Sequence, residues 1–305
     1  MNAFQILFSA ATFAATLRMA VPLLYVSLGG LLTKQAGIEN IGLEGLMLVG
    51  CFSAFTANYY TSNWYVGLLF SVVCTILCAL LFGLFVVTLH AHEIVVGVAI
   101  NVLGSGLTTY LMRSIFGVKG SFTDPRVVAV PNVRIPLFEK IPVLGEILSG
   151  QSVLFWISIV MTILVAFMLY RRRFGVYVRA AGENDKALAS AGINVAKTRY
   201  MTLVLHGALI GIGGAYLSTS YLTQYVENMS AGRGYIAMAA IAFGMAKPGP
   251  VFGSVLLFAF VQAISSRLQV LGVASYFADM IPYAITVVVL AITSYKTYRK
   301  ERVRL

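Results

Sequence analysis

The chain has 305 residues, of which 59% are Ala, Val, Ile, Leu, Met, Phe, Trp, Tyr or Cys and only 11% Asp, Glu, Lys or Arg. A soluble domain carries about 25% charged residues, so an ordinary soluble protein is excluded, and the wealth of apolar side chains excludes intrinsic disorder. The net charge of +11 would suit nucleic acid in a soluble protein, but here the cations stand at the ends of long apolar runs, which points to a lipid bilayer and not to nucleic acid.

A bilayer core about 30 Å thick takes roughly 20 apolar residues as a helix. Met1–Thr33 contains a single charge, Arg18, and one proline, Pro22, and predicts a span over 14–33 behind an interfacial segment. Gly45–His92 has no Asp, Glu, Lys or Arg and is long enough for two passes, 41–60 and 64–89, turning near Asn58–Asn63. A further span follows at 93–112. The long loop 113–151 then carries Pro125, Pro131, Pro136 and Pro142 with alternating stretches such as Arg126–Val130, and reads as an extracytoplasmic elaboration. Spans at 152–170, 200–222 and 249–267 are of ordinary length, and the one at 280–296 is near the short limit. The one at 233–246 is short, and predicts a tilted helix or a half-helix packed inside protein. The expectation is one all-α polytopic membrane domain over 1–305 with about eight to ten transmembrane helices. Cys51, Cys74 and Cys78 lie in apolar runs and support neither a disulfide framework nor a metal site.

Lys and Arg set the orientation. With the C-terminal tail cytoplasmic, alternation puts Lys34, the 171–199 loop, Lys247 and the tail on one side with fourteen cations, against seven opposite.

The loop 171–199 is more than a connector. Arg171, Arg172 and Arg173 form a membrane-edge cluster. Glu183-Asn184-Asp185 then opens a short helix, with Asn184 as N-cap and Asp185 near the positive dipole end. Gly192 is a natural C′ stop. A short helix with an Ala/Ser/Gly face at a membrane surface suits docking into a cleft of another protein.

Arg179–Ile193 resembles the coupling-helix loop of ABC-importer permeases of the branched-chain amino acid, ribose and nucleoside group. Gly37-Ile-Glu-Asn-Ile-Gly-Leu-Glu-Gly45 and Ser230-Ala-Gly-Arg-Gly-Tyr-Ile-Ala-Met-Ala-Ala240 resemble two further segments of that group. The first of these is most similar to the nucleoside subgroup. The resemblance implies a permease subunit in a bacterial cytoplasmic (inner) membrane. It implies an ATP-binding partner carrying ATP and Mg, a second permease chain forming a heterodimer, and an extracytoplasmic substrate-binding protein or lipoprotein. It assigns ATPase coupling to Gly182, Glu183, Asn184, Ala187, Ala191 and Gly192. The sequence agrees in having no G-x-x-x-x-G-K-[ST] phosphate loop.

A shift of 195 residues sets Ala36-Gly37 on Ala231-Gly232 and Ile41 on Ile236. With the two copies on opposite sides of the membrane, this would be an inverted repeat. Intramembrane charges are costly and usually face the bundle interior or an aqueous cavity, so Arg18, Glu44, Glu93 and Asp279 stand out. Asn40 and Glu44, four apart on one helical face, are candidates to line a substrate pathway. Asn101 would either meet a substrate hydroxyl or clasp a neighbouring helix. His206 reads as an interhelical hydrogen-bonding residue, and Gln224, Glu227, Asn228 and Arg233 as an outer gate or a binding-protein contact. Tyr25, Phe52 and Tyr221 are looser candidates for the wall of a path suited to a neutral base and ribose. No catalytic triad or carboxylate dyad appears, so no cofactor, metal or enzymatic step is expected in this chain. Three rivals are an ion-coupled secondary transporter, which would need acids at mid-depth, a non-transporting membrane scaffold or receptor subunit, and a permease for sugars or branched-chain amino acids.

Overall fold

A computed structural model describes residues 9–133, 145 and 147–272, with single positions up to 291. The ninth expected span (those single positions apart), Asp279, Arg134, Lys140 and the basic tail lie outside these residues. The described helices are α1 (Ala10–Gln35), α2 (Leu43–Thr61), α3 (Trp64–Gly83, running into a π turn at Leu84–Thr88), α4 (Glu93–Phe116), α5 (Val153–Arg171), α6 (Arg173–Glu183), α7 (Asp185–Ser190), α8 (Val195–Tyr216, with a π turn at Leu217–Tyr221), α9 (Arg233–Phe243) and α10 (Pro248–Val270). Six of these are long and apolar enough to cross a membrane: α1, α3, α4, α5, α8 and α10. The chain is an all-α polytopic membrane protein.

The centre of the bundle is α8, which packs on α1, α2 and α3. Small residues let it do so, because helices in lipid associate through close backbone approach. A Cβ at Gly207 would lie 2.8 Å from Ile76 Cα, and one at Gly214 2.8 Å from Cys51 N. The Ser71 hydroxyl lies 2.8 Å from the carbonyls of both Gly50 and Gly211, and the Thr75 hydroxyl 2.8 Å from that of Gly207. Three helices are thereby stitched by side-chain hydroxyls on bare backbone. By contrast, α3, α4 and α5 keep most of their surface exposed and apolar.

The two ends of the bundle differ. At one end lie Lys34, Glu39, Glu93, α6, α7, Arg199 and Ala246. At the other, residues 117–133 and 147–152 pack over the helices. There β1 (Ser121–Phe122) pairs antiparallel with β4 (Tyr225–Val226), and β2 (Asn132–Val133) with β3 (Gln151–Ser152). The alternation at Arg126–Val130 forms no strand. Instead Val127 and Val130 are buried, and Asn58 holds the Val128 backbone through two hydrogen bonds. Arg126 lies over the Tyr59 ring, and its guanidinium beside Asp124 holds that carboxyl below the usual carboxylate range. The expected loop also begins late: α4 continues to Phe116, so Arg113 is helical.

The packing repeats itself. α1 packs on α10 and α9 as α8 packs on α3 and α2. α1 and α8 run antiparallel, since Ala36 at the end of α1 meets Arg199 near the start of α8, while Arg18 meets Tyr216. The repeat therefore lies in the order α1-α2-α3 against α8-α9-α10. The 195-residue offset does not align these elements. Gly37 (φ +74°) ends α1, whereas Gly232 (φ +77°) is the N-cap of α9.

Candidate functional site

The two short inner helices, α2 and α9, start beside one another. After Gly37 stops α1, residues 38–41 are non-helical, and the Asn40 side-chain oxygen accepts from Gly42 N at 2.7 Å. This local turn competes with helix, so Asn40 lies before α2. The expectation that Asn40 and Glu44 share one helical face is thus corrected. Asn40 instead turns its amide nitrogen to His206 Nε2, 2.9 Å away on α8. His206 is fully buried, and its bond runs from α8 to the non-helical 38–41 segment, where the sequence suggested a bond to another helix.

Glu44, in the first turn of α2, caps the other helix. Its carboxylate accepts from the Ser230 hydroxyl, from Gly232 N at 2.8 Å and from Gly234 N at 2.6 Å. These N–H groups are orphans at the start of α9, where the helix dipole favours an anion by up to about 2 kcal/mol in a partly buried site. Only glycine fits at 234: a Cβ there would lie 2.5 Å from Glu44 N. Asn101 of α4 locks the same corner. It accepts from Gly45 N at 2.7 Å and donates to Ile41 O at 3.0 Å and to the Tyr235 hydroxyl at 3.2 Å. Of the two roles open to Asn101, the structure shows the clasp.

Two clefts flank this corner. The larger, about 570 Å³, is lined by Glu44, Asn101, Ser105, Asn228, Tyr235 and neighbouring small or apolar residues, with no Lys or Arg among the described residues that line it. The smaller, about 250 Å³, lies against later turns of α9, with Asn40, Leu43, Met238 and Ile241 in its wall and Lys34 and Glu39 beside them. Lys34 and Glu39 pair there at 2.7 Å. Asn40 and Glu44 therefore line different clefts, separated by the contact between α2 and α9. α9 is bounded at both ends by left-handed backbone, at Ala231 (φ +46°) before it and at Met245 and Ala246 (φ +50° and +51°) after it. For residues with a Cβ this costs of order 1 kcal/mol each, and Gln35 donating to Ala246 O at 2.6 Å helps to hold it.

Tyr25 and Phe52 are corrected as wall candidates. Both are buried in the protein core, with the Tyr25 hydroxyl bonded to Leu154 O and Phe52 edge-on to Phe116 and Tyr225. Tyr221 lines neither cleft. The aromatic ring at the larger cleft is Tyr235, which the sequence placed inside a motif without singling it out. Ser105 was equally hidden, and it pairs there at 2.7 Å with Asn228, a member of the outer polar cluster expected from the sequence. The rest of the outer polar cluster is split up: Glu227 pairs with Arg113 at 3.3 Å, and Arg233 donates to the carbonyls of Met229 and Ser230.

At the other end of the bundle, α7 forms where the sequence puts it. The Asn184 side chain accepts from Ala187 N at 3.0 Å, and Gly192 follows with φ +78°. Ala187 and Ala191 are exposed, while Leu188 anchors the helix inward. The preceding helix α6 was hidden by its charges. Gly182 near its end touches the end of α1, where a Cβ would lie 2.3 Å from Gln35 O. Arg199 joins these parts: it pairs with Asp185 at 3.6 Å and donates to the carbonyls of Ala36 and Ala181 at 3.4 Å. Arg199 thus links α7 to the end of α1, next to Gly37 and the 38–41 segment that carries Asn40.

Comparison with known proteins adds the family. Residues 12–290 match the family described as branched-chain amino acid transport system / permease component. The chain is 33% identical to the nucleoside ABC transporter permease protein NupC of Lactococcus lactis subsp. cremoris (strain MG1363), over 90% of this chain and 89% of that one. It is 31% identical, with the same coverage, to the guanosine ABC transporter permease protein NupQ of Bacillus subtilis (strain 168). It is 28% identical to the putative glucose ABC transporter permease protein TsgC13 of Haloferax volcanii, over 98% of this chain and 95% of that one. No solved structure matches. With a match over nearly its whole length and a bundle of membrane-crossing helices around two unequal clefts, the chain belongs to the branched-chain amino acid transport system permease family.

Proposed function

We propose that this chain is the permease subunit of an ABC importer for nucleosides and works by alternating access. The observation that carries the substrate class is the 33% and 31% identity to a nucleoside and a guanosine permease over nine-tenths of the chain. The larger cleft is compatible with it: a nucleoside is neutral, with a flat base and a hydroxylated ribose, and asks for neutral polar groups beside an aromatic ring. Asn101, Ser105, Asn228 and Tyr235 supply such groups, and Glu44 has its carboxylate occupied by α9.

Energy comes from an ATP-binding partner that holds ATP and Mg and docks on Gly182–Gly192. A second permease chain covers the polar cleft as a heterodimer, because Glu44, Asn101 and Asn228 would be costly against lipid. An extracytoplasmic binding protein or lipoprotein delivers the cargo and sets most of the selectivity. The protein lies in a bacterial cytoplasmic membrane, with α7 and the C-terminus cytoplasmic and the 117–152 segment outside. ATP shifts the bundle only by favouring one of its two states over the other.

The test is reconstitution of both permeases, the ATPase and the binding protein in vesicles. ATP-dependent uptake of labelled adenosine, guanosine, uridine or cytidine is expected. Uptake of ribose or leucine without any nucleoside would reject the substrate and leave the importer standing. Uptake that survives ATP depletion but stops with an uncoupler would reject the importer. A sugar permease is the second reading, favoured by the Haloferax volcanii relative, and glucose uptake in the same vesicles would support it.

A further inference from the structure

α5 carries an exposed apolar stripe. Val160, Ile163, Leu164, Phe167 and Tyr170 are 47–66% exposed and recur at helical spacing on one face. α5 packs mainly on α1, α6 and α10, away from the polar cleft between α2, α4 and α9. The stripe is therefore left uncovered by the described helices and is apolar enough to meet the hydrocarbon of a bilayer. It runs straight into Arg171, Arg172 and Arg173, all exposed.

The chain reverses sharply here. Arg172 is extended (φ −108°, ψ 149°) and α6 folds back on the end of α5, where a Cβ at Gly175 would lie 2.2 Å from Met168 O. The fold-back sets two cations over successive aromatic rings of α5. The Arg172 guanidinium lies 5.1 Å from the Phe167 ring and that of Arg179 5.5 Å from Tyr170. Among the described residues, none of Arg171, Arg172, Arg173 and Arg179 pairs with an acid, whereas Lys34 and Arg199 at the same end do. The Arg179 Nε–H is buried without a hydrogen-bond acceptor. A buried donor of this kind is open to an acceptor from outside the chain.

We propose that the α5–α6 corner is a binding site for the headgroup of an acidic phospholipid. Its acyl chains lie along the α5 stripe, and its phosphate bridges Arg171–Arg173 with Arg179 completing the contact. The charge supplies the attraction: a juxtamembrane cation near an anionic headgroup gains about fivefold in affinity, so three together gain about 100-fold. The site is separate from the clefts and does not depend on which solute the protein carries.

The test uses the full chain with its co-purifying partners in mild detergent, read by native mass spectrometry. The probes are dioleoylphosphatidylglycerol, dioleoylphosphatidylcholine and inorganic phosphate. The wild type should retain phosphatidylglycerol over phosphatidylcholine. The triple variant R171Q/R172Q/R173Q should lose that retention by about 100-fold and R172Q alone by about fivefold. K119Q, at the opposite end of the bundle, should lose none. The charge-conserving R171K/R172K/R173K should keep most of it, which separates binding from folding. Equal retention of the two lipids, or equal loss in the Lys and Gln variants, would overturn the proposal. So would displacement of phosphatidylglycerol by millimolar inorganic phosphate, which would make this a free-phosphate site. Loss of the ATP-binding partner with lipid retention unchanged would instead assign the arginines to a protein interface and overturn it.

Discussion

At the scale of single residues, Glu44 joins two elements through one carboxylate. Glu44→Gln removes the charge and replaces one of the two accepting oxygens by an amide N–H₂, which leaves either Gly232 N or Gly234 N facing a donor. A charge-assisted hydrogen bond is worth about 1.5–3 kcal/mol. Transport by the reconstituted importer should therefore fall about tenfold or more, with less effect on the amount of chain in the membrane. The two are separated by measuring uptake per mole of inserted protein. Loss of expression with uptake per mole unchanged would make Glu44 a folding residue only. The Ser230–Gly234 donors were invisible in sequence as partners of Glu44, because they lie about 190 residues away and meet it only through the return of α9 to α2. The Asn184 cap, in contrast, was legible, because cap and capped N–H are three residues apart.

At the scale of elements, α7 is a short helix with an exposed small-residue face and a short path to the clefts. Ala187 and Ala191 are i,i+4 neighbours on that face. Ala187→Trp adds bulk where a partner would seat, yet points away from Leu188 and the core. The variant is expected to insert and fold normally, while ATP hydrolysis in the assembled importer proceeds without matching uptake. The ratio of nucleoside moved to ATP consumed checks this, and an unchanged ratio would count against α7 as the coupling helix. Element boundaries followed the local signals closely for α2, α3, α5 and α10. They failed for α6 and for the start of α8, where Arg173, Arg179, Lys197 and Arg199 break the apolar run without breaking the helix.

At the scale of the whole molecule, the described cations divide unevenly between the two ends, with Lys34, Arg171–Arg173, Arg179, Lys186, Lys197, Arg199 and Lys247 at the α7 end. Positive charge is retained on the cytoplasmic side. Single cysteines placed at 119 and at 184, in a background lacking Cys51, Cys74 and Cys78, should react with an impermeant maleimide from outside and from inside, respectively. Labelling of position 119 from the cytoplasmic side alone would invert the orientation of the bundle.

The amino-acid sequence by itself determined that this is a polytopic helical membrane protein, where most spans lie, and that a capped helix sits between two of them. Hydropathy, caps and turn glycines act over a few residues, so they are readable without a fold. Only the tertiary structure decided that α2 and α9 meet at their starts, that Glu44 caps one and Asn101 clasps the other, and that Asn40 and Glu44 look into separate clefts. It also decided that Tyr25 and Phe52 are core while Tyr235 borders a cavity. In lipid the apolar signal is nearly uniform around each helix, so it cannot say which face meets protein. That is settled by close approach at glycines such as Gly207, Gly214 and Gly234 and by polar bonds between segments far apart in the chain.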